Sequence, residues 1–98
     1  MHDLRFEWDE RKNTRNKRKH GVSFEEAETV FLDDWALLLD DPDPSAREER
    51  LVLLGVSAAL RMLVVCNCYR ASGHVIRLIS ARKATATEQE SYNQRWAR

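Results

Sequence analysis

Long apolar runs are missing from this sequence. No stretch approaches the roughly 18–20 residues that a membrane-spanning helix needs, and the opening segment around Leu4 and Phe6 lacks the apolar centre of a secretion signal. The chain is therefore expected to be cytoplasmic, with no membrane partner. Cysteine is equally scarce. Cys66 and Cys68 are the only two, and if their apolar run is a strand they point to one face and cannot easily bridge, which argues against a disulfide framework. Nor do they make a zinc site with His74, because a gap of one residue is shorter than the usual spacing of about two to four; neither metal nor cofactor is expected. An excess of one charge is also lacking, since 16 basic residues balance 16 acidic ones. A net charge of zero by itself argues against a nucleic-acid partner. Internal repeats and low-complexity segments are absent, and 98 residues leave room for one domain, residues 1–98.

What is present is a hydrophobic share of 43% beside a charged share of 33%, enough to build a core rather than a disordered tail. The charges are also segregated. Arg11, Lys12, Arg15, Lys17, Arg18 and Lys19 crowd one short segment, whereas Glu25, Glu26, Glu28, Asp33, Asp34, Asp40, Asp41, Asp43, Glu48 and Glu49 dominate the next. A polyanion and a basic partner would each find a surface.

Phe6 and Trp8 alternate with polar residues in the manner of a short strand, and Asp9 caps a helix over about residues 10 to 19 that Gly21 closes. That helix has almost no apolar stripe, so other contacts must hold it. Ser23 and Glu26 read as a capping box for a second helix running to about Leu32, with Phe24, Ala27, Val30 and Phe31 on its inner face. Trp35 to Leu39 reads as a strand and residues 40–45 as a polar loop. Three apolar runs follow, Arg50 to Ser57, Met62 to Tyr69 and Val75 to Ala81, close enough together for an antiparallel meander. Thr85 and Glu88 form another capping box, opening a C-terminal helix anchored by Tyr92 and Trp96. The fold class is thus α+β: an N-terminal strand and two helices, a four-stranded antiparallel meander and a closing helix, with helices on one face of the sheet and the other face open for chemistry.

Several segments together resemble the BrnT family of toxins, within the RelE-like group, over nearly the whole chain. They are Trp8-Asp9, Lys19-His20-Gly21-Val22-Ser23-Phe24, Glu49-Arg50, Cys68-Tyr69-Arg70 and Ile79-Ser80-Ala81-Arg82-Lys83-Ala84-Thr85. The resemblance implies a small RelE-like domain and a metal-independent endoribonuclease of a type II toxin–antitoxin system, which arrests growth by degrading RNA. It also implies a BrnA-like ribbon-helix-helix antitoxin that binds operator DNA, in an assembly of two toxins and two antitoxins. The family pattern often carries a histidine immediately before the Cys-Tyr-Arg triplet, and here that position is Asn67. A second reading follows: a non-catalytic module that binds RNA or antitoxin, or one whose activity is weakened by Asn67.

Cleaving RNA without metal requires a group to take the 2′-hydroxyl proton, cations to stabilise the crowded phosphate and a donor for the leaving oxygen. Folding the last two strands about Ser72 sets Asn67 opposite Arg77, Tyr69 opposite Val75 and Val65 opposite Ile79, which groups Asn67, Tyr69 and Arg77 on one face. Val64, Cys66, Cys68, Ile76, Leu78 and Ser80 then pack beneath helices on the other. Arg77 is the first candidate for charge stabilisation because its guanidinium can grip a phosphate through two parallel hydrogen bonds. Tyr69 is a candidate for stacking or proton donation, His20 for proton transfer, and Asn67 stands with them as a catalytic candidate. Arg50, Arg70, Arg82, Lys83, Lys12, Arg15 and Lys19 are candidates for phosphate contact. Plainer readings stand beside these. Arg77 could pair with an acidic neighbour such as Glu49, the basic helix could be a solvated face, and His20 could simply cap its helix. Trp8, Phe24, Phe31 and Trp35 are expected in the core.

Overall fold

A short strand around Phe6 and four strands rich in Val, Leu and Ile form in the segments where the sequence predicts them. They are β1 (Arg5–Glu7), β2 (Leu37–Leu39), β3 (Leu51–Val56), β4 (Met62–Arg70) and β5 (Val75–Lys83), with helices α1 (Glu10–His20), α2 (Phe24–Glu28) and α3 (Ala86–Gln94). The computed structural model describes residues 4–40, 50–70 and 74–95, apart from the side chain of Arg70. The expected polar loop at Pro42 and Pro44, the pivot at Ser72, and the residues Glu49 and Trp96 lie outside these.

The strands form one sheet in the order β1-β5-β4-β3-β2. Strands β2 to β5 make the expected antiparallel meander. Strand β1 joins the far edge, parallel to β5 and matched only to Val75, Ile76 and Arg77. Among the described residues the rest of that edge of β5 has no strand neighbour, and α1 comes to lie there.

Each helix end has a local cause. The Asp9 carboxylate accepts the Arg11 N–H at 2.8 Å, which lowers its pKa. Gly21 takes the left-handed conformation at φ 71° that closes α1, its N–H reaching the Lys17 carbonyl. The capping box at Ser23 is only half made: the Ser23 hydroxyl accepts the Glu26 N–H, but the Glu26 carboxylate turns instead to Arg61 and Ser57. Helix α2 is also shorter than expected, tightening after Glu28 into a 3-10 turn over Thr29–Leu32. There the Thr29 hydroxyl donates to the Glu26 carbonyl and accepts the Ala58 N–H, giving the backbone an alternative to the α-helical ladder. The box at Thr85 and Glu88 is complete.

Two apolar clusters sandwich the sheet. Val22, Phe24, Ala27 and Val30 pack on Leu53, Leu63, Val65, Ile76, Leu78 and Ala81. On the other face Tyr92 and Ala84 pack on Val52, Leu54 and Val64. The second face is therefore not wholly open, as the sequence reading had it, because α3 lies across its β3 side. The Tyr92 hydroxyl donates to Asp33 and the Arg95 guanidinium to the carbonyls of Trp35 and Ala36, fastening the C-terminal end of that helix. Phe24 is fully buried, but Trp8 and Phe31 are only half-buried and Trp35 is 45% exposed, so the expected set of core aromatics shrinks to Phe24 and the partly covered Trp8 and Phe31.

Candidate nucleic-acid interface

Helix α1 has no apolar stripe because amides take its place. Asn13 and Asn16, one turn apart, are both buried. The Asn13 oxygen accepts the Phe24 N–H while its amide donates to Glu10 and Glu25, which lowers the Glu25 pKa. The Asn16 amide donates to the carbonyls of Val22 and Ala81 at 2.8 and 2.7 Å, and its oxygen accepts the Ala81 N–H at 3.1 Å. Asn16 thus satisfies the edge of β5 as a neighbouring strand would. A buried backbone group left unpaired costs about 1–3 kcal/mol, so this clasp outweighs the missing apolar contacts.

The clasp fixes which residues stand beside the edge. Lys12, Arg15, Asn16 and Lys19 recur at helical spacing along one side of α1, and His20 ends the same turn. Facing them, β5 carries a bulge: Cys66 pairs with Ser80 but Asn67 with Leu78, leaving Ile79 without a partner across the ladder. These two elements enclose an open groove of about 320 Å³, lined by Lys12, Arg15, Asn16, Lys19, His20, Ile79 and Ser80. No carboxylate is among the described lining residues. Among the described residues, the side chains of Lys12, Arg15, Lys19 and His20 make no salt bridge or hydrogen bond. Four cationic or ionisable side chains thus converge with little internal neutralisation.

Arg77, Tyr69 and Asn67 do not share a face. Strands β4 and β5 pair Cys68 with Arg77, Tyr69 with Ile76 and Asn67 with Leu78. The pairing is centred half a residue beyond Ser72, and such a shift moves Arg77 to the side opposite Tyr69 and Asn67. The companion assignment fails with it: Ile76 and Leu78 lie under α2 and the 3-10 turn, while Val64 and Cys66 belong to the α3 side. Arg77 faces Glu7 of β1, its Nη1 at 2.9 Å from the carboxylate and its side chain 36% exposed. Asn67 is 1% exposed and its amide donates to the carbonyls of Leu51 and Val65. A side chain so enclosed cannot touch a substrate, which corrects its placement among the catalytic candidates. Tyr69 is 43% exposed with its hydroxyl 3.4 Å from Nδ1 of His74, a residue held at positive φ.

The remaining cations are dispersed. Arg82 grips Glu88 through two hydrogen bonds of 2.8 and 2.9 Å. This bond from Arg82, with the Thr85 N–H added, overcomes partial burial and lowers the Glu88 pKa to about 2. Lys83 is exposed at the end of β5, where its charge helps keep Glu26 ionised. Arg50 is half-buried and engaged within the chain. The Arg70 side chain lies outside the described residues. Sequence reasoning missed Asn13, Asn16, Ser80 and the Glu7 partner of Arg77. Asparagines spaced three apart on a helix without apolar residues are a signal that could have revealed the clasp; the bulge left no such mark.

Fold and groove define a small α+β domain that presents a cationic cleft beside a bulged strand edge. Among the described residues no three His, Cys, Asp or Glu side chains gather to hold a metal, and no helix is long and apolar enough to cross a membrane. Residues 8–88 match the family described as "Ribonuclease toxin, BrnT, of type II toxin-antitoxin system". The chain belongs to that family. It is also similar to the crystal structure of the Brucella abortus ribonuclease toxin BrnT, at 25% identity and a TM-score of 0.63, over 84% of this chain and 97% of that one. No match is found among curated protein sequences.

Proposed function

We propose that this chain is a metal-independent endoribonuclease that acts in the cytoplasm and arrests growth until an antitoxin neutralises it, with its reacting centre in the α1–β5 groove. The observation that carries this is the convergence of Lys12, Arg15, Lys19 and His20 on one cleft with no carboxylate among its described lining residues. In that cleft His20 takes the 2′-hydroxyl proton, and the freed oxygen attacks the adjacent phosphorus. The bond to the 5′-oxygen breaks, leaving a 2′,3′-cyclic phosphate, and the proton passes to the departing oxygen. Arg15 and Lys19 offset the charge that builds on the phosphate. Arg77, on the other face and countered by Glu7, and Arg82, countered by Glu88, stay outside this centre. Family membership supports a protein antitoxin as partner, and we assign it the ribbon-helix-helix class, in an assembly of two copies of each chain.

The test is incubation of the purified chain with RNA in EDTA. Cleavage is expected to persist in the chelator and to fall by about a hundredfold or more in His20→Ala, while Arg77→Ala stays within a few-fold. Loss of cleavage in EDTA, or full activity in His20→Ala, would overturn the reading. Intact RNA throughout, with binding retained, would leave a non-catalytic module.

A further inference from the structure

The groove has a selectivity that its lining dictates. Base identity is read by side chains that present a fixed pattern of donors and acceptors, chiefly Asn, Gln, Asp and Glu, or by an arginine placed in the plane of a guanine. Among the described lining residues the one amide is that of Asn16, and both its N–H groups and its oxygen are already committed to Val22 and Ala81. Among the described lining residues there is no carboxylate and no Phe, Tyr or Trp, so acceptor patterns are scarce and the flat surfaces are the His20 ring and the Arg15 guanidinium, on which any base stacks. Ser80 can donate or accept, which discriminates little between bases. What remains is charge arranged along a line.

That line has a length. Lys12 and Lys19 are seven residues apart on α1, or roughly 10 Å at about 1.5 Å per residue, with Arg15 between them. Three cations in a row over that span can meet some three phosphates of one strand, one each. A mononucleotide would engage only part of it.

We infer that the α1 groove is a sequence-blind rail that grips about three successive phosphates of an RNA strand, so that any base preference of this protein enters through residues outside the groove. Tyr69, exposed at the end of β4, is one surface on which a base could stack. The inference rests on the ribonuclease reading for the choice of RNA, but its test is separable from cleavage.

The experiment measures fluorescence anisotropy of labelled 2′-deoxy oligonucleotides, which lack the attacking hydroxyl and survive intact. Three strands of identical A, C, G and T composition but permuted order, guanine being included because Arg15 could read it, are titrated at salt concentrations from about 50 to 200 mM. Affinities are expected to agree within about threefold, and log Kd to rise with log salt at a slope near 2, which is about 0.7 for each of three phosphates. The variant carrying Lys12→Gln, Arg15→Gln and Lys19→Gln should flatten that slope towards zero, and Lys12→Gln alone should lower it by about 0.7. All three side chains are exposed, and circular dichroism checks that the variants fold. Discrimination above tenfold among the permuted strands that the triple variant abolishes, or a slope that the triple variant leaves unchanged, would overturn the proposal. Binding through the groove without cleavage of RNA would remove the nuclease reading and leave the rail. Cleavage by a chain whose binding ignores the triple substitution would do the reverse.

Discussion

At the scale of single residues, the buried amides carry more of this fold than their polarity suggests. Asn16 is a helix residue that behaves towards β5 as a strand would, and removing its side chain strands the Ala81 N–H and two carbonyls at once. Asn16→Ala should therefore cost about 2–3 kcal/mol in urea denaturation, against less than about 0.5 kcal/mol for the exposed Thr14→Ala. Equal midpoints would show that the clasp is dispensable. Asn67 follows a different logic, since a larger ring has no space at a site 1% exposed. Asn67→His is expected to lower stability by about 1–3 kcal/mol through overpacking and to leave RNA cleavage no faster, which kinetics on the folded fraction would check. Gly55 is similarly confined, because an added methyl would stand 2.9 Å from Cγ1 of Val30. Gly55→Ala should show a comparable loss in the same denaturation experiment.

At the scale of elements, the ends of helices are where charge and backbone meet. Helix α3 begins at a complete capping box whose Glu88 also holds Arg82. Glu88 has an ordinary pKa of 4.5 that falls to about 2 in the folded protein. A carboxyl depressed on folding contributes stability above its unfolded pKa and loses it as pH falls through the folded value. Acid denaturation should consequently steepen between about pH 4.5 and pH 2, an interval in which Glu88→Gln should be flatter than the parent. The ion pair is partly solvated, and the difference should be only about 1 kcal/mol at neutral pH. Asp33 works by the same means at the other end of α3. Burial raises its pKa, yet the N–H groups of Val56 and Trp35 and the Tyr92 hydroxyl outweigh it and keep the carboxylate ionised.

At the scale of the whole molecule, a net charge of zero conceals two surfaces. The basic side of α1 is placed at the exposed edge of the sheet, and the acidic segment after it is partly consumed by internal contacts of Glu25, Glu26 and Asp33. Expression of the chain alone is expected to halt growth, and co-expression with a ribbon-helix-helix partner should restore it and yield a complex whose mass equals two copies of each chain. Growth arrest that survives in His20→Ala would assign toxicity to binding instead of cleavage. A mass other than two plus two would refute the stoichiometry alone.

Element types were legible in the sequence because each depends on neighbours along the chain: alternation set the strands, Asp9, Ser23 and Thr85 opened helices, and Gly21 closed one. The order of elements, the Phe24 core and the segregation of charge were likewise readable from residues close together. Pairing across the sheet was not. A half-residue displacement in the β4–β5 register and one bulged residue at Ile79 decide which side of the sheet Arg77 and Ser80 face, and neither leaves a local trace because register is set by packing on both faces together. The groove has the same origin. Its basic helix is written in consecutive residues, but its other wall exists only because β1 stops at Glu7 and Asn16 takes over the edge of a strand 65 residues away.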